Sequence, residues 1–342
     1  MLNHDALPPS PPRSDDWQAI CADSITSPAE LCRLLRLGPE LARAAEQPAA
    51  EFPMLVPRPY AQRIRPADPD DPLLRQVLPR AEELAFAPGF SADPLGEAAA
   101  GCCPGLLRKY YGRSLILATG ACAVHCRFCF RRHFLRGANC ELERHVTSPL
   151  AGALDLLAAD TSVSEVILSG GDPLCIPDLQ IAALVSRLES IPHLRRMRIH
   201  TRMPIALPQR VTGELVALLQ GARLRTLVVV HVNHPAEIDR EVEAAIDRFI
   251  DAGIPVLSQT VLLRGVNDNI EALAGLYELL ADLRVAAYYL HQLDRVSGTA
   301  HFEVPIDLGV KLVAQLRARL PGYAVPRYVR EVPGATSKQL LA

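Results

Sequence analysis

The feature that most restricts what this chain can fold into is an alternation that starts at Arg113 and runs almost to the C-terminus. Six short apolar runs, "SLILATG", "VSEVILSGG", "RMRIHTR", "RTLVVVHVN", "PVLSQTVLLRG" and "AAYYLHQLD", are separated by longer amphipathic segments such as "PDLQIAALVSRLESI" and "AEIDREVEAAIDRFIDAG". Continuous Val/Ile/Leu runs belong to strands covered on both faces, which is the condition of a parallel sheet. Strands alternating with helices form an α/β sheet or barrel with right-handed crossovers. Six units are fewer than the eight that close a TIM barrel. The expected fold is therefore α/β, a partial (β/α)6 barrel that stays open, with its site at the C-terminal ends of the strands.

The remaining text is divided by the same criterion. Residues 1–16, rich in proline and polar side chains, read as a mobile arm. Residues 17–105 read as short helices broken by turns, an N-terminal helical region packed on the barrel of 106–322, with a short C-terminal segment over 323–342. With 49% apolar residues and a net charge of −2, the chain has enough core for this and no nucleic-acid footprint. No apolar stretch reaches the length of about 18 residues that suggests a membrane span, and no basic, then apolar, leader opens the sequence. A soluble cytoplasmic protein is expected, with neither nucleic acid nor membrane as partner.

Polar residues collect where the six runs end. Three cysteines follow the first; Ser169, Gly170, Gly171 and Asp172 the second; His200, Thr201 and Arg202 the third; His231, Asn233 and His234 the fourth. Gln259 and Arg264 belong to the fifth, and His291, Gln292 and Asp294 to the sixth. One polar strand end is an ordinary turn former. Six in succession point to chemistry at that face.

The cysteines stand in "GACAVHCRFCFRR", as Cys122, Cys126 and Cys129 in the spacing C-x3-C-x2-C. Soft thiolates this close suit zinc or an iron–sulfur cluster. A closed zinc site needs four ligands, and a fully ligated [4Fe–4S] cluster takes four cysteines. Three leave one iron open to a chelating amine and carboxylate, and S-adenosylmethionine (SAM) carries both. One electron passed to its sulfonium breaks a carbon–sulfur bond and yields the 5′-deoxyadenosyl radical. Zinc completed by Cys140 or His125 stays open as the alternative. In "SGGDP", the glycines can expose backbone groups to a ligand, and Asp172 could accept from an ammonium. The six other cysteines, Cys21, Cys32, Cys102, Cys103, Cys140 and Cys175, follow no ligand spacing and read as core thiols.

Taken together, "CAVHCRFCFRR", "LSGGDPL", "HTRMPIALPQR", "HVNHPAEI", "LSQTVLLRGVND", "YYLHQLDRVSGTAHF" and "PGYAVPRYVREVPGATSK" resemble the lysine 2,3-aminomutase family of radical SAM enzymes. The resemblance covers roughly residues 52–342 and is nearest to the short branch that acts in elongation factor P β-lysylation. It implies an isomerase that moves the amino group of L-α-lysine from Cα to Cβ, the R isomer of β-lysine being expected. The implied cofactors are a [4Fe–4S] cluster, SAM and pyridoxal 5′-phosphate (PLP). Implied partners are L-lysine, an external one-electron reductant of flavodoxin or ferredoxin type, and a lysyl ligase that takes the product to elongation factor P. By resemblance, Lys338 is the PLP Schiff-base lysine, and Lys109, Tyr110 and Arg113 hold the PLP phosphate. Arg131 pairs with the substrate carboxylate, as a planar fork does well; Asp294 and Glu331 meet the distant ammonium. Ser169, Gly170, Gly171, Asp172, His231 and Gln259 lie near SAM.

Three departures separate the chain from the enzymes that act on free lysine. "PGATSK" replaces a glycine run before the lysine, Glu331 stands where they have Asp, and no zinc-binding extension follows Lys338. Their subunit arrangement is therefore not implied here, and the oligomeric state, a dimer included, stays open. Free-lysine catabolism and a PLP-free radical SAM activity remain the competing readings.

Overall fold

The computed structural model describes residues 16–133 and 150–342. Its centre is one ten-stranded sheet whose strands lie in chain order. They are β1 (Gly101–Cys103), β2 (Leu106–Tyr110), β3 (Arg113–Thr119), β4 (Glu165–Gly170), β5 (Arg196–Thr201), β6 (Arg225–His231), β7 (Val256–Val261), β8 (Ala286–His291), β9 (Arg327–Arg330) and β10 (Gln339–Leu340). Pairing is parallel from β3 through β9 and antiparallel at both margins. The six expected runs are β3 to β8.

Two expectations change. The sheet already begins at Gly101, inside the stretch read as helical, and the segment read as a separate C-terminal piece supplies a seventh parallel strand, β9, and an edge strand, β10. Neither end is visible as an apolar run: "GCC" is three residues, and "RYVR" is apolar only in the middle. Both are strands because the neighbouring strand supplies the hydrogen bonds.

Short helices precede the sheet: α1 (Trp17–Ala22), α2 (Pro28–Leu34), α3 (Pro39–Glu51), α4 (Arg58–Ala61), α5 (Pro72–Val77) and α6 (Glu97–Ala100). Capping explains where several of them start. Ser27 Oγ accepts from Glu30 N, Asp71 accepts from Leu73 and Leu74 N, and proline occupies the first turn of both helices, where its missing N–H costs nothing. Their core (Ile25, Leu31, Val56, Tyr60, Leu73, Val77) takes in Val124 of the cysteine loop. The N-terminal region is thus the wall against which that loop is built.

Between the strands run α7 (Ala151–Ala159), α8 (Asp178–Glu189), α9 (Met203–Ala206), α10 (Gly213–Gly221), α11 (Arg240–Asp251), α12 (Ile270–Asp282) and α13 (Ile306–Arg319). Their apolar stripes pack on one face of the sheet through Ile116, Val166, Leu168, Met197, Ile199, Val228 and Val230. Side chains alternate faces along a strand, so the residues between these look the other way, into the concave face: Arg113, Ser169, Arg198, His200, His231 and Gln259. An unbroken apolar pattern therefore conceals a polar lumen. Among the described residues, no helix is long and apolar enough to cross a membrane.

Candidate active site

The cysteine loop leaves β3 and folds over the end of β4. Gly171 N donates to Thr119 O and Asp172 N to Ala121 O, both at 2.7 Å. The two strands approach so closely that a Cβ at Gly170 would lie 2.4 Å from Thr119 O, and one at Gly171 2.1 Å from Ala121 O. Gly170 also has φ +121°, a conformation glycine adopts freely. "SGG" is therefore required by backbone contact with the cysteine loop.

This corrects one expectation. Asp172 does not hold its carboxylate ready for a ligand ammonium. Oδ1 accepts from Leu174 N (3.0 Å) and Thr201 Oγ1 (2.7 Å), Oδ2 from Arg202 N (2.6 Å) and Met203 N (3.1 Å). A carboxylate offers about four such positions; one caps the turn after β4 and three tie that turn to the end of β5.

Cys122, Cys126 and Cys129 are gathered at the top of the lumen. Burial is the main reason all three thiols lie above their ordinary range, Cys129 at about 11; neighbouring cysteines add to it for Cys122 and Cys129, while Arg202 works against it at Cys126. Three half-buried thiols held close need a cation to become thiolates, and a metal centre is such a cation. Among the described residues, no three Cys, His, Asp or Glu side chains close on a point where a single ion could sit. A four-iron cluster takes one thiolate per iron, so this donor set fits it. Of the alternative zinc ligands, His125 has Nδ1 2.8 Å from Pro53 O and its ring stacked on Phe52, and Cys140 lies outside the described residues.

Beneath the cysteines, ionic side chains from distant parts of the chain meet. Arg131 is buried and grips Glu97 with both edges of its fork (Nε–Oε2 2.7 Å, Nη2–Oε1 2.8 Å); Nη1 donates to Ser169 Oγ at 2.9 Å and Gly170 O at 3.2 Å. Lys109 Nζ lies 3.1 Å from both Glu97 and Glu331. Glu331 also pairs with Lys338 and bonds to the Tyr110 hydroxyl. Burial alone would raise the Glu331 carboxyl, but Lys338 and Lys109 hold it down at about 2. The structure thus brings Lys109, Tyr110, Glu331 and Lys338 together, joining β2 to the β9–β10 turn, and links them through Glu97 to Arg131.

Asp294 and Glu331 line one cleft of about 680 Å³, bounded also by Ser91, Arg264, Gln292 and Glu303. Burial first, and the negative charge of Glu331 second, push Asp294 up to about 7. Lys338 and Lys109 pull it the other way but do not offset burial and the like charge.

His231, His291 and His200 are half-buried and lowered below the usual imidazole range, the first two to about 3, chiefly by loss of water around the ring. They are neutral groups at any physiological pH. His231 Nε2, His200 Nε2, Arg198 Nε and Arg113 Nε are buried without a hydrogen-bond partner among the described residues. Buried polar atoms are nearly always paired, so a row of orphans in one lumen marks a place for polar ligands. Arg113 opens β3, and Tyr110, which it stacks on, closes β2. Seven strand residues at about 3.3 Å each put Arg113 roughly 20 Å from the cysteine end of β3. The candidate residues therefore run down the lumen and are not confined to the strand tops as the sequence suggested.

Sequence reading missed Glu97, Glu83, Gln76, Tyr60 and Glu237. The first four lie in the N-terminal region, where no periodicity marks them. Glu237 carried a readable signal: it closes a capping box with His234, and its Oε2 accepts from Asn233 N and His234 N.

A partial α/β barrel with a three-cysteine loop after its first parallel strand defines the radical SAM class. The model of the Radical SAM superfamily matches residues 116–277. The L-lysine 2,3-aminomutase of Escherichia coli K12 is 44% identical over 96% of this chain and 94% of its own length. The corresponding enzyme of Haemophilus influenzae is 40% identical over 96% of both. That of Clostridium subterminale is 35% identical over 95% of this chain and 77% of its own length. The chain belongs to the L-lysine 2,3-aminomutase family of radical SAM enzymes. Its activity is that of an isomerase acting on lysine, with a [4Fe–4S] cluster and SAM as the cofactors of its class.

Proposed function

We propose that this enzyme uses PLP together with the cluster and SAM to convert L-α-lysine into β-lysine, and that its product serves the modification of elongation factor P. The supporting observation is the lumen itself. Lys338, Lys109, Tyr110 and Arg113 supply one primary amine, a second cation, a hydroxyl and an orphaned guanidinium N–H, the set that a phosphorylated aldehyde needs. Lys338 would carry PLP on Nζ, and the other three would hold its phosphate. When bound, PLP supplies a conjugated system able to delocalise an unpaired electron next to the migrating nitrogen.

The chain's own residues do the rest. Cys122, Cys126 and Cys129 hold the cluster, which an external flavodoxin- or ferredoxin-type protein reduces. Ser169, Gly170, Gly171, His231 and Gln259 border the SAM side of the lumen, while Asp172 fixes the strand ends that carry them. Glu97, Ser169 Oγ and Gly170 O take Nε, Nη1 and one Nη2 hydrogen of Arg131, so it would meet the substrate carboxylate through the second Nη2 hydrogen. Asp294 and Glu331 would hold the far ammonium of the substrate. Burial of these groups excludes water from a radical.

The elongation factor P assignment rests on the short-branch resemblance and on the higher identity to relatives matched over nearly their full length than to the longer clostridial enzyme. Handing β-lysine to a lysyl ligase places the enzyme in the cytoplasm. Anaerobic reconstitution with PLP, SAM and L-lysine, followed by chiral analysis, tests the reaction. A lysine turnover that proceeds unchanged without PLP would overturn it.

Removing one partner of a buried charge costs about 2–5 kcal/mol, so Asp294→Ala is expected to lower kcat/KM for lysine roughly 30-fold or more. Ornithine, with its shorter arm, should be a poor substrate of the parent enzyme. Equal activity of parent and variant on lysine would place Asp294 outside the substrate site.

A pH dependence follows from the same acid. Only ionised Asp294 attracts the ammonium, and its pKa of about 7 means that it is protonated below that pH. Since kcat/KM reports groups of the free enzyme, its value for lysine should fall about tenfold per pH unit below 7. Asp294→Asn should be slow at every pH and lose this limb. An acid limb that persists in the Asn variant assigns it to another group.

A further inference from the structure

Among the buried arginines that the proposed chemistry does not use, one faces a cysteine of the cluster loop. Arg202, at the end of β5, is 5% exposed, and its Nη1 lies 2.7 Å from Cys126 Sγ. Everything else around Arg202 holds it there. Nη2 donates to Gln76 Oε1 at 2.7 Å and to Glu237, and reaches Tyr60 Oη at 3.4 Å. Its backbone N–H is fastened by Asp172, and its guanidinium lies over the Phe128 ring at 5.4 Å. Glu237, wholly buried, is fixed in turn by Asn233 and His234 N–H. Asn233 Nδ2 donates to the same Gln76 oxygen at 2.9 Å.

We infer that Arg202 is a positioning residue that sets the reduction potential of the iron–sulfur cluster through the Cys126 sulfur. Reduction adds one electron, delivered by the external reductant, to a cluster whose ligand sulfurs already carry negative charge. A guanidinium N–H aimed at one of those sulfurs stabilises the more negative state. Hydrogen bonds to the sulfurs and local charge are recognised determinants of cluster potential, and a dry surrounding strengthens both. Glu237 does not cancel the effect. It pairs with the Nη2 side of the fork, while Nη1 faces the sulfur, so the pair is a dipole whose positive end points at the cluster. The geometry also explains why Arg and not Lys stands here: one planar group must serve a sulfur, an acid, an amide and a phenol at once.

The test is a redox titration of the reconstituted full-length enzyme, followed by the EPR signal of the reduced cluster without lysine, with iron and acid-labile sulfide measured on each sample. For Arg202→Gln with a full complement of iron, the reduced-to-oxidised ratio at a fixed potential is expected to fall about tenfold, a midpoint lower by about 59 mV for a one-electron couple. Arg202→Lys, which keeps the charge but not the fork, should recover part of the ratio that Arg202→Gln loses. Because Arg202→Gln leaves Glu237 buried and unpaired, the double variant Arg202→Gln/Glu237→Gln decides the matter if the single variant does not fold, with a shift in the same direction. A full cluster whose ratio stays within twofold of the parent, or a folded protein that has lost its cluster, would overturn the inference.

Discussion

Cys126→Ala is expected to abolish cluster assembly and, with it, reductive SAM cleavage and all aminomutase turnover, while the protein stays folded. Cys126 sits in a loop wedged between the N-terminal helices and the barrel, where it packs at the margin of two clusters whose buried members include Val124, Tyr60 and Phe128, and Ala keeps its Cβ there. Loss of the sulfur leaves Arg202 with Glu237 and Gln76 as partners, so no bare charge is created. On the proposed set of three protein ligands, removal of one leaves two, too few to hold four irons against chelators. Iron and sulfide content, the visible absorption of the cluster and far-UV circular dichroism read the three parts of this expectation. Parent levels of iron and sulfide in the purified variant would remove Cys126 from the ligand set.

Lys338→Ala should produce the complementary loss. The variant is expected to lack the PLP absorption that borohydride abolishes in the parent, and to form no β-lysine. It should keep its iron and still cleave SAM when reduced. Lys338 stands just before β10, at the far margin of the sheet from the cysteine loop, so the two cofactors depend on different segments. The fold should tolerate the change because Glu331 keeps Lys109 and the Tyr110 hydroxyl when Lys338 goes. A variant that still shows a borohydride-sensitive band would show that another amine carries PLP. One that loses iron as well would show that the two sites are coupled.

Much of this molecule is legible without coordinates because it is local. The period of apolar residues is a property of neighbours in the chain, so β3 to β8 and the helices between them are readable from "SLILATG" to "AAYYLHQLD". Three soft ligands within eight residues must lie in one loop, so the cysteines and the class of metal they suit are also readable. Caps such as Ser27, Asp71 and the His234–Glu237 box are local too.

What only the tertiary structure decided is which distant charges share a site. Glu97 meets Arg131 across 34 positions, Lys109 meets Glu331 across 222, and Gln76 meets Arg202 across 126. An isolated Glu or Gln in a four- to six-residue helix carries no mark of this. It acquires one when folding removes water and leaves each charge to be balanced by whichever partner the barrel brings near. The same cause turned Asp172 from a candidate ligand into a clasp between two strand ends, and raised Asp294 to about 7 while Glu331 fell to about 2. The amino-acid sequence by itself determined β3 to β8, the helices between them and the three thiols, since each depends on residues a few positions apart. Which acid is free to meet a substrate, and which cation faces a cluster sulfur, depended on the packing, because charge, burial and distance act through space and not along the chain.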